Sequence, residues 1–174
     1  MSNSTLPPSL ALGSDFEDIR TEVRKLCEHF PGEYWRQLED QPPERSYPTD
    51  FITALTEAGY LAALIPPEYG GSGLSLRGAA VILETINHAG CNASAGHAQM
   101  YTMGTVLRYG SDEQKQRYLP RIANGELRLQ AFGVTEPTTG SDTTQLKTRA
   151  TRTDEGYVIN GQKVWTSRAQ HSDL

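Results

Sequence analysis

The residues best suited to chemistry in this 174-residue chain lie between positions 131 and 142. An apolar run expected to form a strand, Leu129 to Val134, is followed there by a loop rich in hydroxyl groups. Gly140 frees the backbone just before Ser141. Such a loop offers backbone N–H groups and hydroxyl donors to an anion or to a flat polar ring. By composition alone, a Pro/Gly turn that joins two strands explains the same residues.

The composition narrows the class of protein that can carry this loop. The chain has 16 Lys+Arg against 21 Asp+Glu, a net charge of −5, which argues against a nucleic-acid-binding surface. Cys27 and Cys91 lie far apart, and neither they nor the four histidines have metal-ligand spacing, so we expect a reduced, cytoplasmic chain. Residues 1–13 lack the features of a secretory signal and are expected to be flexible. No apolar run is long enough to span a membrane.

Five amphipathic helices must position the loop. Ser14 to Glu17 reads as a capping box that opens the first helix, and Ser111 to Gln114 as a second box that opens the fifth. We expect Pro120 to restart the fifth helix rather than to continue it. The small residues of the fourth helix suit either close helix packing or a ligand pocket. The predicted helices cover about residues 14–30, 48–58, 75–88, 93–109 and 111–124.

Two segments between the helices are predicted to be loops. Residues 32–48 are polar and rich in proline, and we expect Tyr34 and Trp35 to anchor them to the helices. Residues 66–73 contain two prolines and three glycines, which by themselves favour a flexible connection between helices.

From Leu127 onward the period of the pattern changes from 3.6 to two. Residues 145–151 alternate like a half-exposed strand, and Asn160-Gly161 predicts a two-residue hairpin turn. That hairpin would place Tyr157 opposite Val164 and Ile159 opposite Gln162, with Trp165, Lys163 and Val158 on the other face. Five helices followed by three or four strands give a segregated α+β fold and exclude a parallel βαβ nucleotide-binding fold.

Three or four short strands are too few to form a closed sheet by themselves. We therefore expect the sequence to be the front portion of a longer protein. A genuinely short protein is the competing explanation.

Several stretches, taken in order, resemble the acyl-CoA dehydrogenase family of flavoproteins. The most specific is Thr-Glu-Pro…Gly-Ser-Asp followed by Asn-Gly-Gln-Lys…Trp. The resemblance runs from about Ser14 to Leu174. It is carried by Pro67–Gly73, Gly110–Lys115, Tyr118–Pro120, Gly125–Glu126, Phe132–Pro137, Gly140–Asp142 and Gly156–Ser167.

This resemblance implies a flexible N-terminus (residues 1–13), an α-helical N-terminal domain (14–126) and the start of a β-barrel-like middle domain (127–174). It implies an oxidoreductase of fatty acid metabolism that uses FAD to convert an acyl-CoA into a trans-2-enoyl-CoA. The α-proton is removed by a base, and the β-hydride passes to the flavin N5. Electrons then pass to an electron-transfer flavoprotein, and the full-length protein is expected to be a homo-oligomer.

By the same resemblance, residues from two parts of the chain would contact FAD. The backbone of Phe132 and Val134 and the hydroxyl of Thr135 would meet the isoalloxazine. Ser141 would bind the pyrophosphate and also meet the acyl-CoA substrate. Trp165 would pack beside the isoalloxazine ring, and Thr166 and Ser167 would place hydrogen-bond donors near N5.

The resemblance assigns no catalytic residue to this chain, because the family's base is a carboxylate of the C-terminal helical domain, expected beyond residue 174. Glu136 lies in the central motif but is not the family's base, and Pro137 holds it extended. Two alternatives remain: a flavin-dependent monooxygenase on the same scaffold, and a non-catalytic, truncated helical module.

Overall fold

The computed structural model describes residues 16–174, in which a helical region precedes a small β region. The β region contains a two-stranded antiparallel sheet. This order confirms the predicted α+β fold class. The helices and strands are α1 (Glu17–Glu28), α2 (Gly32–Glu39), α3 (Thr49–Glu57), α4 (Leu76–His88), α5 (Ser94–Tyr109), α6 (Asp112–Ala123), β1 (Arg149–Thr153) and β2 (Gly156–Asn160).

The larger of two apolar clusters lies among α1, α3, α4 and α5, because each of these helices has an apolar face. Phe51 is completely buried, and its ring meets the edges of Phe30 and Trp35 at centroid distances of 5.1 and 5.0 Å. Both cysteines lie in this cluster, unpaired and buried. Burial, and then the neighbouring Cys91, raises the pKa of Cys27 to about 12.

The second cluster packs α6 against α5 and the segment before residues 66–73. Its buried members are Ala62, Ile65, Met103, Leu119, Ile122 and Leu127. Residues 66–73 are therefore not the loosely held connection that their composition favours. Backbone N–H groups of Ser72 and Gly73 donate to Ala62 and Ile65 at 3.3 and 2.8 Å, which fixes the loop on the core.

Helix α2 was missed by the sequence interpretation, which treated residues 32–48 as a loop. The helix has eight residues, none of them fully buried, and it begins a stretch rich in proline, whose composition favours a loop. Pro31 precedes it, and the indole of Trp35 donates to the carbonyl of Phe30 at 3.1 Å. Tyr34 meets the Phe30 ring edge at 5.1 Å, which confirms the expected anchoring by Tyr34 and Trp35.

Helix α6 corrects a second expectation, since it continues through Pro120 instead of restarting there. Proline removes one backbone donor, but the fully buried Leu119 and Ile122 hold the helix on either side. The capping box at Ser111 is confirmed: its hydroxyl accepts from Gln114 N, and the Gln114 side chain accepts from Ser111 N. The other predicted box begins at Ser14, which lies outside the described residues.

The predicted Asn160-Gly161 hairpin is wrong. The turn lies at Asp154-Glu155, and β1 pairs with β2 from Arg149 opposite Asn160 to Thr153 opposite Gly156. Residues 162–165 are therefore not paired with β2. Tyr157 does not lie opposite Val164, Ile159 does not lie opposite Gln162, and the face predicted for Trp165 on that hairpin does not exist. The predicted strand at 129–134 is reduced to a single bridge at Phe132, and that at 145–151 begins only at Arg149.

The small residues of α5 serve different purposes along its length. A Cβ at Gly96 would lie 3.2 Å from Leu61 Cδ2, so this glycine allows close packing. A Cβ at Gly104 would meet nothing within 4 Å. Among residues 16–174, no helix is long and apolar enough to cross a membrane. The same residues contain no group of three His, Cys, Asp or Glu side chains that could hold a metal ion.

Candidate functional site

Two segments that are distant in sequence run antiparallel and carry most of the predicted site. We call residues 132–136 the first site segment and residues 163–167 the second. Phe132 forms a bridge with Ser167. The Val164 N–H donates to the Thr135 carbonyl at 2.9 Å. These contacts share one register, which explains why residues 163–167 do not fold back onto β2.

This pairing brings six of the seven predicted flavin residues together, with aromatic rings left open at the surface. The side chain of Trp165 is 88% exposed and that of Phe132 is 47% exposed. Thr166 lies against Gly133, where an added Cβ would be 3.4 Å from the threonine hydroxyl. Exposed aromatic rings beside hydroxyl and backbone groups are suited to a flat, polar ligand.

The backbone is strained on both sides of Thr166 and Ser167, whose hydroxyl groups belong to the predicted site. Trp165 has a φ of 58° and Arg168 a φ of 61°, both in the left-handed region that non-glycine residues rarely adopt. The Arg168 guanidinium donates to the hydroxyl of Ser94, the first residue of α5. Strain of this kind persists only where surrounding contacts hold it, and it is common at functional sites.

Glu136 is the most strongly perturbed acid of the site. It is only 5% exposed, and its carboxylate accepts from Lys147 N at 2.7 Å, Thr148 N at 2.9 Å and Lys163 Nζ at 2.9 Å. The Thr148 side chain lowers the pKa most, followed by Lys147 N and Lys163, to about 2.

The low pKa of Glu136 predicts how its contribution to stability depends on pH. The contribution is complete above the unfolded pKa of about 4.5 and is lost as the pH falls toward the folded pKa of about 2. We therefore expect the difference in Tm between wild type and Glu136→Gln to shrink from pH 5 to pH 3. Thermal unfolding at several pH values measures it.

The matched control for this titration is Glu33→Gln. Glu33 is exposed, and its pKa is lowered by hydrogen bonds from Arg36 and Gln37. Water screens this ion pair, so its removal should change Tm less at every pH. A gap between wild type and Glu136→Gln that stays constant from pH 5 to pH 3 would contradict the assignment.

Ser141 is not brought to the paired segments. A tight turn, in which the N–H groups of Glu136 and Thr139 each donate to the other residue's carbonyl, precedes it. Its side chain is exposed. Asp142 accepts from Thr144 N at 3.2 Å, and the hydroxyl and N–H of Thr144 lower the Asp142 pKa. Ser141 therefore lies on a separate, ordered loop next to the two segments.

The helical region presents an apolar cavity beside the first site segment. The Tyr101 ring meets the edge of Phe132 at 5.0 Å and the edge of His97 at 5.1 Å. The cavity has a volume of about 260 Å³ and lies between α4 and α5; it is lined by Leu64, Leu76, Ala79, Ala80, Leu83, His97, Met100 and Tyr101. Sequence analysis pointed to this helix without assigning roles to single residues.

A buried polar network, which the sequence analysis missed, fixes the start of the first site segment. Gln130 is fully buried; its side-chain oxygen accepts from Tyr47 Oη at 2.9 Å and its amide nitrogen donates to Gln99 Oε1 at 3.2 Å. The N–H groups of Gln130 and Ala131 donate to Ser172 Oγ at 2.9 and 3.1 Å. The sequence does contain one indication of this network, because Gln130 is a single amide side chain inside an apolar run.

Comparisons with known proteins agree with this arrangement. Residues 14–126 match the acyl-CoA dehydrogenase N-terminal domain, and residues 131–174 match the acyl-CoA dehydrogenase middle domain. Acyl-CoA dehydrogenase FadE26 of Mycobacterium tuberculosis is 39% identical over 123 residues, which are 70% of this chain and 30% of that protein. Mitochondrial isovaleryl-CoA dehydrogenase of Bos taurus is 31% identical over 178 residues, covering 99% of this chain and 41% of the relative.

A solved structure of an acyl-CoA dehydrogenase complexed with FAD from Bacillus anthracis is similar to this chain. Its TM-score is 0.70 at 32% identity, over 92% of this chain and 28% of that one. The chain thus spans less than half the length of each of these proteins. Because the profile of the N-terminal domain alone matches more than half of the chain, this protein belongs to the acyl-CoA dehydrogenase family.

Proposed function

We propose that this chain provides one wall of the FAD site of an enzyme that desaturates an acyl-CoA to the trans-2-enoyl-CoA. The observation that carries the proposal is the antiparallel pairing of residues 132–136 with 163–167. It aligns the two halves of the family motif, which are otherwise separated by the whole β1–β2 hairpin. The family is FAD-dependent, and bound FAD would accept the substrate hydride.

The residues at this site fit a flavin. An isoalloxazine has flat faces and a hydrogen-bonding edge, and the paired segments offer an exposed indole, an exposed phenyl ring and nearby hydroxyl groups. We assign Phe132, Val134 and Thr135 to one side of the ring. Trp165 lies beside the ring, and Thr166 and Ser167 supply donors near N5. Ser141 binds the pyrophosphate from its separate loop.

The acyl-CoA substrate would meet the same region. Ser141 serves both FAD and the substrate, and the apolar cavity next to Tyr101 suits an acyl group. In the full-length protein, electrons would pass to an electron-transfer flavoprotein, and the subunits would form a homo-oligomer. The division at residue 126, with helices before it and the β domain after it, is part of this proposal.

We assign no catalytic base to these 174 residues. Glu136 is unsuited to that role, because both carboxylate oxygens accept hydrogen bonds and the pKa is held at about 2. A base that works near neutral pH requires a higher pKa and a free oxygen that reaches the substrate. What the family implies, a carboxylate base beyond residue 174, is the expectation that we keep.

We expect the isolated 174-residue chain to bind FAD weakly and to have no dehydrogenase activity, since one wall of the site does not enclose the cofactor. Titration with FAD, followed by tryptophan fluorescence, measures the binding. Quenching should be lost in Trp165→Phe and retained in Trp35→Phe, because Trp35 is packed against Phe51 in the helical core.

Different results would contradict different parts of this proposal. Equal quenching in the two tryptophan variants would remove Trp165 from the flavin site. Stoichiometric FAD together with acyl-CoA oxidation by residues 1–174 would refute the need for an outside base. Oxygen-dependent hydroxylation of a product by the flavin-loaded, full-length protein would instead identify a monooxygenase.

A further inference from the structure

The two site segments are joined by an ion pair in which one partner is buried. Lys163 Nζ lies 2.9 Å from Glu136 Oε1, and the side chains are 29% and 4% exposed, respectively. The same ammonium donates to the carbonyl of Val134 at 3.0 Å. Lys163 therefore binds the first site segment at two points, on the backbone and on a side chain.

Glu136 extends this contact to a third stretch of chain. Its carboxylate also accepts from the N–H groups of Lys147 and Thr148, just before β1. Gly161 follows β2 at this same open end of the hairpin, where an added Cβ would lie 2.2 Å from the Thr148 hydroxyl. Glu136 and its partners thus join the open end of the β1–β2 hairpin to the first site segment.

The chain contains a competing local pairing that these contacts oppose. Asn160-Gly161 is a strong hairpin signal, and a turn there would pair residues 162–165 with β2. Lys163 and Val164 would then be unable to reach Glu136 and Thr135. A turn of this kind closes a short loop, whereas the observed pairing joins residues 27 positions apart. Buried ion pairs contribute little net stability but can select one register among several.

We propose that Glu136 and Lys163 are positioning residues that set the register between the two site segments, and with it the placement of Trp165 relative to Thr135. The effect on flavin binding rests on the function proposed above, whereas the effect on register does not. Neither residue needs to touch the flavin. Lys163 binds the carbonyl of Val134, and this contact keeps the two segments aligned so that Val164 N reaches the Thr135 carbonyl.

Amide hydrogen exchange at Val164 tests the register directly, because this N–H is donated to Thr135 O only in the observed pairing. We expect Lys163→Met to speed its exchange about tenfold or more. Lys163→Arg keeps a cation that can reach the carboxylate and should retain most of the protection. The control is Lys25→Met, which removes an exposed ion pair with Glu22 at 2.6 Å and should leave Val164 unchanged.

Binding of FAD by the same variants tests the positioning role. We expect the affinity to fall about tenfold in Lys163→Met and much less in Lys163→Arg, since small displacements in a binding site have large effects. Far-UV circular dichroism should show an intact helical region in every variant. Val164 protection that is unaffected by Lys163→Met would overturn the proposal, as would faster exchange with unchanged FAD affinity. If wild type binds no FAD at any concentration, the proposed function fails, and the exchange rates still decide the register.

Discussion

Replacing Gly71 by alanine is expected to lower the free energy of unfolding by about 3 kcal/mol. An alanine Cβ at this position would lie 2.0 Å from the carbonyl oxygen of Ile65 and 2.6 Å from that of Ala62. Both obstacles are backbone atoms next to the second apolar cluster, so no side-chain rotation relieves the clash. The loop of residues 66–73 would have to move away from the core, and its hydrogen bonds to Ala62 and Ile65 would be lost.

Urea unfolding followed by circular dichroism measures this effect, and Gly104→Ala is the matched control. Gly104 lies inside α5, where an added Cβ meets nothing within 4 Å. Alanine there should stabilise the chain by about 0.5–1 kcal/mol, because it restricts the unfolded backbone and favours the helix. Equal stabilities of the two alanine variants would contradict the close approach at Gly71.

Replacing Gln130 by leucine is expected to destabilise the chain by about 2–4 kcal/mol, although leucine is apolar and of similar size. The substitution leaves the hydroxyl of Tyr47 and the side-chain oxygen of Gln99 without their partner in a buried place. Each buried group that loses its partner contributes its own desolvation penalty. The first site segment should loosen together with the helical region, because Gln130 binds both.

Equilibrium unfolding of Gln130→Leu and of Gln37→Leu provides the comparison. Gln37 donates to Glu33 at 3.2 Å on the exposed surface of α2, so its replacement should change the free energy of unfolding by less than about 0.5 kcal/mol. Adding Tyr47→Phe to Gln130→Leu should restore part of the lost stability, since it removes one of the two orphaned groups. A Gln130→Leu protein as stable as wild type would show that the network is not a structural requirement.

The sequence predicts those elements that local signals specify. Helices α1, α3, α4, α5 and α6 have apolar residues at helical spacing, and α6 also has its capping box. Helix α2 is only eight residues long and is held by contacts of Tyr34 and Trp35 with Phe30 and Phe51, which the local pattern does not reveal. The continuation of α6 through Pro120 likewise depends on burial of its neighbours in a tertiary core.

The β region shows where local reasoning fails. Asn160-Gly161 is a good hairpin turn, yet β2 pairs with β1 through a turn at Asp154-Glu155. Residues 163–167 leave β2 and pair with a segment that the local pattern cannot reveal. The motif identified the residues on both segments but not their mutual register. The network of Tyr47, Gln99 and Gln130 was equally hidden, since its hydrogen bonds span 83 and 31 positions of the chain.

The two buried cysteines make opening of the helical core measurable by the rate of thiol modification. The chain has two cysteines, and burial raises the pKa of Cys27 to about 12, so hardly any reactive thiolate is present at neutral pH. A thiol reagent should modify Cys27 and Cys91 only when α1 separates from its neighbours. Both thiols lie in the helical cluster, so their modification rate would report on opening of that cluster, whether or not the paired site segments are occupied.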